Sequence, residues 1–427
     1  MLRPAVRGLV LLVVCVCLSL FAPSRAAAED DAQAVFAMAA DSILQIRVVE
    51  TSSGAKALIG SGFFVGPAGR VVTNYHVVSK LAHDPGRYRI ECARHDGTTF
   101  AATIDAIDVV HDLALLRSGQ TGAPALPLVE TALRQGARLY SLGHPHDLGL
   151  TIVEGTFNGR LDHSLYDKIH FTGSINPGMS GGPALTAGGE VAGVNVRTAG
   201  NQVSFLVPVD RVRALLEVVS APAFAPPADF LPEIRRQLLA NQDAYFAALL
   251  AAPLPTSEIA PFTLPGRIAP FVRCWADAER GDGLAHESVD HTCSTDDYVF
   301  IGSDQVSGIL EYQHHVVTSQ KLNRFQFFQL YSDLFAEPYG AFTSSEDEVT
   351  PFRCESSLVH HDATELKAVT CLRAYKKLPD LYDFVLRAAV VGRPDAGVES
   401  SLALSGVTVE NAKRLARRYL EAISWAR

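Results

Sequence analysis

Residues 40 to 210 are written in short apolar or alternating runs, each cut by glycine or proline. Ile43–Val49, Gly62–Val65, Val71–Thr73, Leu113–Leu116, Leu139–Leu142, Ile169–Phe171, Val191–Val196 and Ser204–Val207 are such runs. Many short strands at this spacing predict a β-barrel or a β-sandwich. At Pro208 the period changes. Val209, Val212, Leu215, Leu216 and Val219 recur at helical spacing, and Pro208 suits a first turn. Ser220 to Pro227 then reads as a linker by composition. This divides the chain into an all-β unit over 36–219, a Pro/Ala-rich linker over 220–228 and a C-terminal module over 229–427.

The C-terminal module opens with one amphipathic helix, Phe230 to Leu250, and contains an internal repeat. Pro270-Phe271-Val272-Arg273-Cys274 is echoed by Pro351-Phe352-Arg353-Cys354, and a second cysteine follows each, Cys293 and Cys371. Strand-like runs (Ile309–Val317 and Phe384–Val391) and closing helices (about 323–335 and 409–424) complete the two units. Ala412, Leu415, Ala416, Tyr419 and Ile423 line one face of the last helix. The reading is a smaller α+β domain of two tandem repeats, about 265–336 and 346–425. Each is stapled by its own disulfide, Cys274–Cys293 and Cys354–Cys371, although spacing alone does not prove that connectivity.

The N-terminus supports disulfides. Arg3 and Arg7 precede an apolar run from Gly8 to Phe21, and Ala26-Ala27-Ala28 supplies small residues for cleavage. Residues 1–28 therefore read as a secretory signal peptide. The run is short against the ~20 apolar residues that a membrane span needs; an uncleaved N-terminal anchor is the alternative. The expected location is the periplasm or the exterior, an oxidising setting in which cysteines pair. Cys92, in the alternating run Tyr88–Cys92, is then odd and reads as a buried strand cysteine. The net charge of −9 and the lack of a polybasic tract argue against a nucleic-acid partner.

Three segments carry chemistry: Val71-Val72-Thr73-Asn74-Tyr75-His76, His111-Asp112-Leu113-Ala114, and Asn176-Pro177-Gly178-Met179-Ser180-Gly181-Gly182-Pro183. A serine hydroxyl is a weak nucleophile near neutral pH and needs a base. A histidine supplies it, and a buried carboxylate fixes the histidine's tautomer. Glycines beside the serine allow backbone N–H groups to converge on a developing oxyanion.

These segments, with Gly60-Ser61-Gly62-Phe63, Leu142–Thr151 and Ser204–Asp210, resemble those of trypsin-like serine proteases, most closely of the HtrA type. The similarity covers about residues 40–218. It implies a chymotrypsin/trypsin-like double β-barrel with the active site between the barrels. It makes His76 the general base, Asp112 its orienter and Ser180 the nucleophile, and Gly178 and Ser180 the oxyanion-hole donors. A specificity pocket would be lined partly by Ser174–Asn176 and Gly193–Arg197. Met179 and His144 each stand where the family usually has asparagine. The C-terminal half lacks the carboxylate-binding loop of a PDZ domain.

The resemblance implies an exported serine endopeptidase acting through an acyl-enzyme on polypeptide substrates, in envelope protein quality control, with no metal or organic cofactor. His111 is expected on the surface at a strand end. His144, His146 and Asp147 are expected to be solvent-exposed rather than a metal site. The alternative is a catalytically silent or partner-activated binding protein, a peptide sensor or holdase on the same scaffold. In either case the C-terminal module is the candidate for recruiting substrate, restraining the active site or meeting a protein partner.

Overall fold

The computed structural model describes residues 30–426 apart from 67, 296, 304, 337–341, 343 and 362. The expected signal, residues 1–28, lies outside the described residues. A first helix, α1 (Asp30–Ala39), leads into two closed antiparallel barrels. Strands β1 (Ile43–Glu50), β2 (Lys56–Val65), β3 (Arg70–Thr73), β4 (Tyr88–Ala93), β5 (Thr99–Asp108) and β6 (Leu113–Arg117) close the first, in the order β1-β2-β3-β6-β5-β4. Helix α2 (Tyr75–His83) is inserted after β3. Strands β7 (Arg138–Gly143), β8 (Thr151–Arg160), β9 (Ile169–Phe171), β10 (Pro183–Leu185), β11 (Val191–Thr198) and β12 (Ser204–Pro208) close the second, in the order β10-β11-β12-β9-β8-β7. Helix α3 (Val209–Ser220) follows it. The double barrel implied by the resemblance is therefore present, and of the barrel and sandwich that the short runs left open the barrel is what forms.

Period-two alternation explains how the barrels fit together. Along β6, Ala114 and Leu116 face one apolar cluster, while Leu113 and Leu115 face another. The second cluster continues through Leu139, Leu142, Val191 and Val194 of the second barrel. A strand buried on both faces reads as a continuous apolar run, which is how Leu113–Leu116 is written.

In the C-terminal half, α4 (Leu231–Leu249) precedes a small sheet of β13 (Thr256–Ile259), β14 (Phe262–Pro265) and the terminal β24 (Ser424–Trp425). The main sheet holds β15 (Arg273–Glu279), β16 (Glu287–Ser294), β19 (Leu310–Thr318), β20 (Arg353–His361), β21 (Thr364–Ala374), β22 (Tyr382–Val390) and β23 (Ala396–Val407). Its antiparallel order is β15-β16-β19-β23-β22-β21-β20. A two-stranded hairpin, β17 (Val299–Phe300) with β18 (Val306–Ser307), projects between β16 and β19. Helices α5 (Arg324–Ala336) and α6 (Val409–Glu421) lie on opposite faces. Val316 and Ala388 pack in the α6 cluster, whereas their neighbours Val317 and Ala389 pack with Phe327 and Tyr331 of α5.

The two repeats share one sheet, because β19 of the first pairs with β23 of the second. One expectation changes here: the module is no smaller than the double barrel before it. Cys274 is bonded to Cys293 across β15–β16, and Cys354 to Cys371 across β20–β21, so each bond clips the first hairpin of its repeat. Cys92 is a free, fully buried thiol whose pKa burial pushes up to about 12.

The module packs directly on the first barrel. Ile234 and Leu238 of α4, Val299 and Ile301 of the hairpin region, and Leu378 share one apolar cluster with Tyr75, Val78 and Ala82 of α2. Tyr75 Oη donates to Ile301 O (2.6 Å). Gln237 on α4 accepts from Val109 N (2.7 Å) and donates to Ile107 O (2.8 Å).

Several histidines are buried without charge. His314 lies between Ser400 Oγ (2.8 Å) and Pro265 O (2.9 Å), while its neighbour His315 turns the other way to Asp290 (2.6 Å). Burial lowers His314 from 6.5 to about 3, and His83 and His144 to about 4. Between pH 6.5 and 4 the unfolded chain binds protons that the folded chain refuses, so stability falls as pH falls. Thermal melts are expected to show a Tm that is steady above pH 7 and drops through that window. A flat profile would contradict neutral burial of these rings.

Candidate active site

His76 sits in the first turn of α2, where the chain leaves β3. Asp112 lies in the turn between β5 and β6 at φ +56°, a left-handed conformation that aspartate tolerates better than most residues. That turn aims the carboxylate back at His76. Asp112 Oδ1 accepts the His76 backbone N–H (2.8 Å), and Oδ2 accepts the ring Nδ1–H (2.6 Å). A carboxylate oxygen accepts, so Nδ1 is the donor of this pair and Nε2 is the ring nitrogen turned away from Asp112. Asn74 Nδ2 donates to Asp112 O (2.7 Å) and anchors the turn from the α2 side. Asp112 is 5% exposed.

Ser180 stands in the turn before β10, and two hydrogen bonds from Ser61 position that turn against the first barrel. Ser61 N donates to Ser180 O (2.8 Å), and Ser61 Oγ donates to Gly178 O (2.7 Å) while accepting His144 N (2.9 Å). From the second barrel, Gly181 N donates to Asn195 O (2.9 Å), and Asn195 Nδ2 donates to Leu142 O (3.2 Å) and Met179 O (3.3 Å). Gly178 and Gly181 have φ of +97° and +86°. A Cβ on Gly178 would stand 2.3 Å from His144 O, and one on Gly181 the same distance from Ser61 O. Both positions therefore require glycine for conformation and for space.

The Pro177–Gly178 peptide has its own anchor. His146 N donates to Pro177 O (2.9 Å), and in a trans peptide this sends the Gly178 N–H the opposite way. His146 and Asp147 are left-handed, at φ +50° and +62°. The loop is held there by Asp147, which accepts from Lys56 Nζ (2.7 Å) and Gln45 Nε2 (2.7 Å). Lys56 and Gln45 keep its carboxyl below the usual range. Among the described residues no hydrogen bond joins Ser180 to His76. Such bonds commonly tighten only when substrate binds.

Residues 60–194 match the model of the trypsin-like peptidase domain. Human serine protease HTRA3 is 35% identical over 167 residues, which is 37% of this chain and 37% of its own. The mitochondrial serine protease HTRA2 of Bos taurus is 35% identical over 167 residues, covering 37% of this chain and 35% of its own. Residues 60–194 form a trypsin-like peptidase domain. The chain spans well under half the length of these relatives, and most of its C-terminal half lies beyond the matched segment. The solved serine endoprotease from Yersinia pestis aligns over 45% of this chain and 67% of its own, at 23% identity and TM-score 0.40.

The two substitutions in the peptidase domain have structural accounts. Met179 is fully buried in the shared core of the barrels and leaves its turn to the backbone. His144 is buried rather than exposed, correcting the expectation. Its backbone N–H does the bonding to Ser61, and its Nδ1 has no partner among the described residues. His146 is exposed. His111 is also not at the surface. It is partly buried in the Asp112 turn, bonded to Asp108 (2.8 Å) and set edge-on to Tyr166. The Cys274, His291 and Cys293 grouping has both sulfurs spent in a disulfide.

Sequence reasoning missed a second wall of the site. Residues 297–301 of the C-terminal module reach the peptidase domain. Asp297 accepts from Lys168 Nζ, Ser164 Oγ and Leu165 N, each at 2.6 Å. Burial works to raise its pKa, but Lys168 and these bonds more than offset that and lower it. Arg197 lies over the Tyr298 ring (4.6 Å), and the Phe300 ring lies 4.7 Å from the His76 ring. No motif in 297–301 announces this, because its partners are more than a hundred residues away.

The close packing of Gly178 yields a stability prediction. Gly178→Ala combines left-handed strain, worth about 1–3 kcal/mol, with the clash against His144 O. Gly136→Ala, at φ +92° with open space around it, carries the conformational part alone. Urea melts are expected to show a clearly larger loss for Gly178→Ala.

Proposed function

We propose that this protein is an exported serine endopeptidase that hydrolyses peptide bonds through an acyl-enzyme. The observation that carries the reading is the double grip of Asp112 on the His76 backbone N–H and Nδ1, beside a glycine-bounded serine turn. In this reading Ser180 Oγ attacks the scissile carbonyl while His76 Nε2 takes its proton. The same proton then passes to the leaving amine, and water repeats the sequence to free the acyl group. Asp112 holds the tautomer and stabilises the imidazolium. The N–H groups of Gly178 and Ser180 receive the oxyanion, with the Pro177 carbonyl held away by His146.

Residues 36–219 would form the catalytic unit and 229–427 a module attached through the 220–228 linker. Export is supported by the two disulfides, which persist in oxidising compartments. The signal-like residues 1–28 point the same way. The proposed substrates are unfolded or damaged polypeptides in the periplasm or outside the cell. The specificity region at Ser174–Asn176 and Gly193–Arg197 holds no acid for a basic side chain.

The test is a fluorophosphonate probe with casein hydrolysis on the purified protein. The wild type is expected to label and to cleave denatured casein. Ser180→Ala should lose labelling, and Asp112→Asn should cut hydrolysis on the order of 10⁴-fold by favouring the wrong tautomer. A wild type that neither labels nor cleaves would leave a binding scaffold as the better reading.

A further inference from the structure

The segment 297–301 belongs to the C-terminal module, yet its Tyr298, Val299 and Phe300 line a crevice with Val110, Asp112, Val196 and Arg197 of the peptidase domain. Its position follows from the sheet. Strand β10 pairs with β11 only as far as Val194, whereas β12 accompanies β11 to Thr198. Asn195 is engaged by Gly181 and Gly182. Beyond it, β11 therefore has a neighbouring strand on one side alone. An open strand edge beside a nucleophile is where an extended peptide adds by main-chain pairing. A peptide whose carbonyl reaches Ser180 and whose preceding residues follow that edge carries its next side chain past His76. Phe300 is already there, with its ring 4.7 Å from the His76 ring and its edge against Tyr298 (5.2 Å).

This wall is fixed in place. Val299 and Ile301 on either side of Phe300 are buried in the first-barrel cluster, and Asp297 is 5% exposed and triply bonded. Phe300 itself pairs with Val306 in the hairpin, and the Ile301 carbonyl is held by Tyr75. Moving the segment would strip two apolar side chains from a core and break a buried ion pair.

We propose that Phe300 is a specificity-determining residue supplied by the C-terminal module. It restricts the substrate residue just before the one whose carbonyl is attacked to a small side chain such as glycine, alanine or serine. The proposal rests on the serine peptidase reading above. It gives the module a direct part in choosing substrate, since the ring that closes this subsite comes from outside the peptidase domain.

The test compares a set of peptides identical except at that residue, which is varied from glycine to leucine and phenylalanine. The readout is the ratio of kcat/KM for each bulky peptide to that for the glycine peptide. The wild type is expected to disfavour the bulky peptides by about tenfold or more, the scale on which a filled pocket discriminates. Phe300→Ala should raise the bulky-to-glycine ratio by about tenfold, with Phe300→Leu intermediate. Leucine keeps the apolar packing, so it decides the matter if the alanine variant does not fold. An unchanged ratio in the leucine variant, with wild-type cleavage and probe labelling intact, overturns this inference alone. A uniform rise on all peptides, matched by faster labelling, also overturns it, because Phe300 would then be a plug. A wild type that neither labels nor cleaves removes the inference together with the peptidase reading.

Discussion

Ser61 joins the two barrels at the site. Its N–H holds the Ser180 carbonyl, its hydroxyl links the His144 N–H to the Gly178 carbonyl, and its own carbonyl accepts Thr73 Oγ1 (2.7 Å). One small residue on β2 therefore fixes the serine turn, the loop after β7 and the end of β3 that delivers His76. Its neighbours show how little room the junction has. A Cβ on Gly62 would meet Val72 O at 2.8 Å, and one on Gly182 would meet Leu142 O at 2.1 Å. The glycine-rich texture around these positions is what allows two barrels to approach closely enough to share a site.

A second constraint works from the other side. The Asp112 turn needs an unfavourable backbone conformation, and such conformations persist where the surroundings over-determine them. Asn74 holds the carbonyl of Asp112, and Gln237 on α4 satisfies the backbone of Ile107 and Val109 just upstream. The latter support comes from the C-terminal module. Together with Tyr75 bonding to the Ile301 carbonyl and Asp297 bonding to Lys168, it makes the module a buttress of the peptidase domain.

Much of this was legible in the sequence. The short runs between residues 40 and 210 give the strands because each is short and either alternating or continuously apolar, as strands buried on one or both faces are, and the helical face of Val209–Val219 marks where the barrels end. His76, Asp112 and Ser180 stood out because their motifs are local: a few neighbouring residues set each turn. The two disulfides followed from a local echo, Pro-Phe-x-Arg-Cys and Pro-Phe-Arg-Cys, at the start of two hairpins. What was not legible is long-range. Nothing beside His144 says that its ring is buried and neutral, since its surroundings come from strands far along the chain. The fusion of two repeats into one sheet depends on β19 pairing with β23, a choice no local pattern encodes. Phe300 reads as an ordinary strand residue until the hairpin that carries it is docked.

That docking also decides how the module's role is best probed. Cutting the chain at the linker would bare Tyr75, Val78 and Ala82 on α2 by removing Ile234, Leu238, Val299 and Ile301 from the same cluster. It would also unpair Lys168, which is largely buried opposite Asp297, and leave the Asp112 turn without Gln237. A buried charge stripped of its partner costs far more than the pair contributes net. Loss of activity on truncation would therefore report a damaged Asp112 turn as readily as a lost substrate-binding surface. Substitutions at Phe300 avoid that ambiguity, because the side chain faces His76 while its backbone neighbours keep the buttress in place.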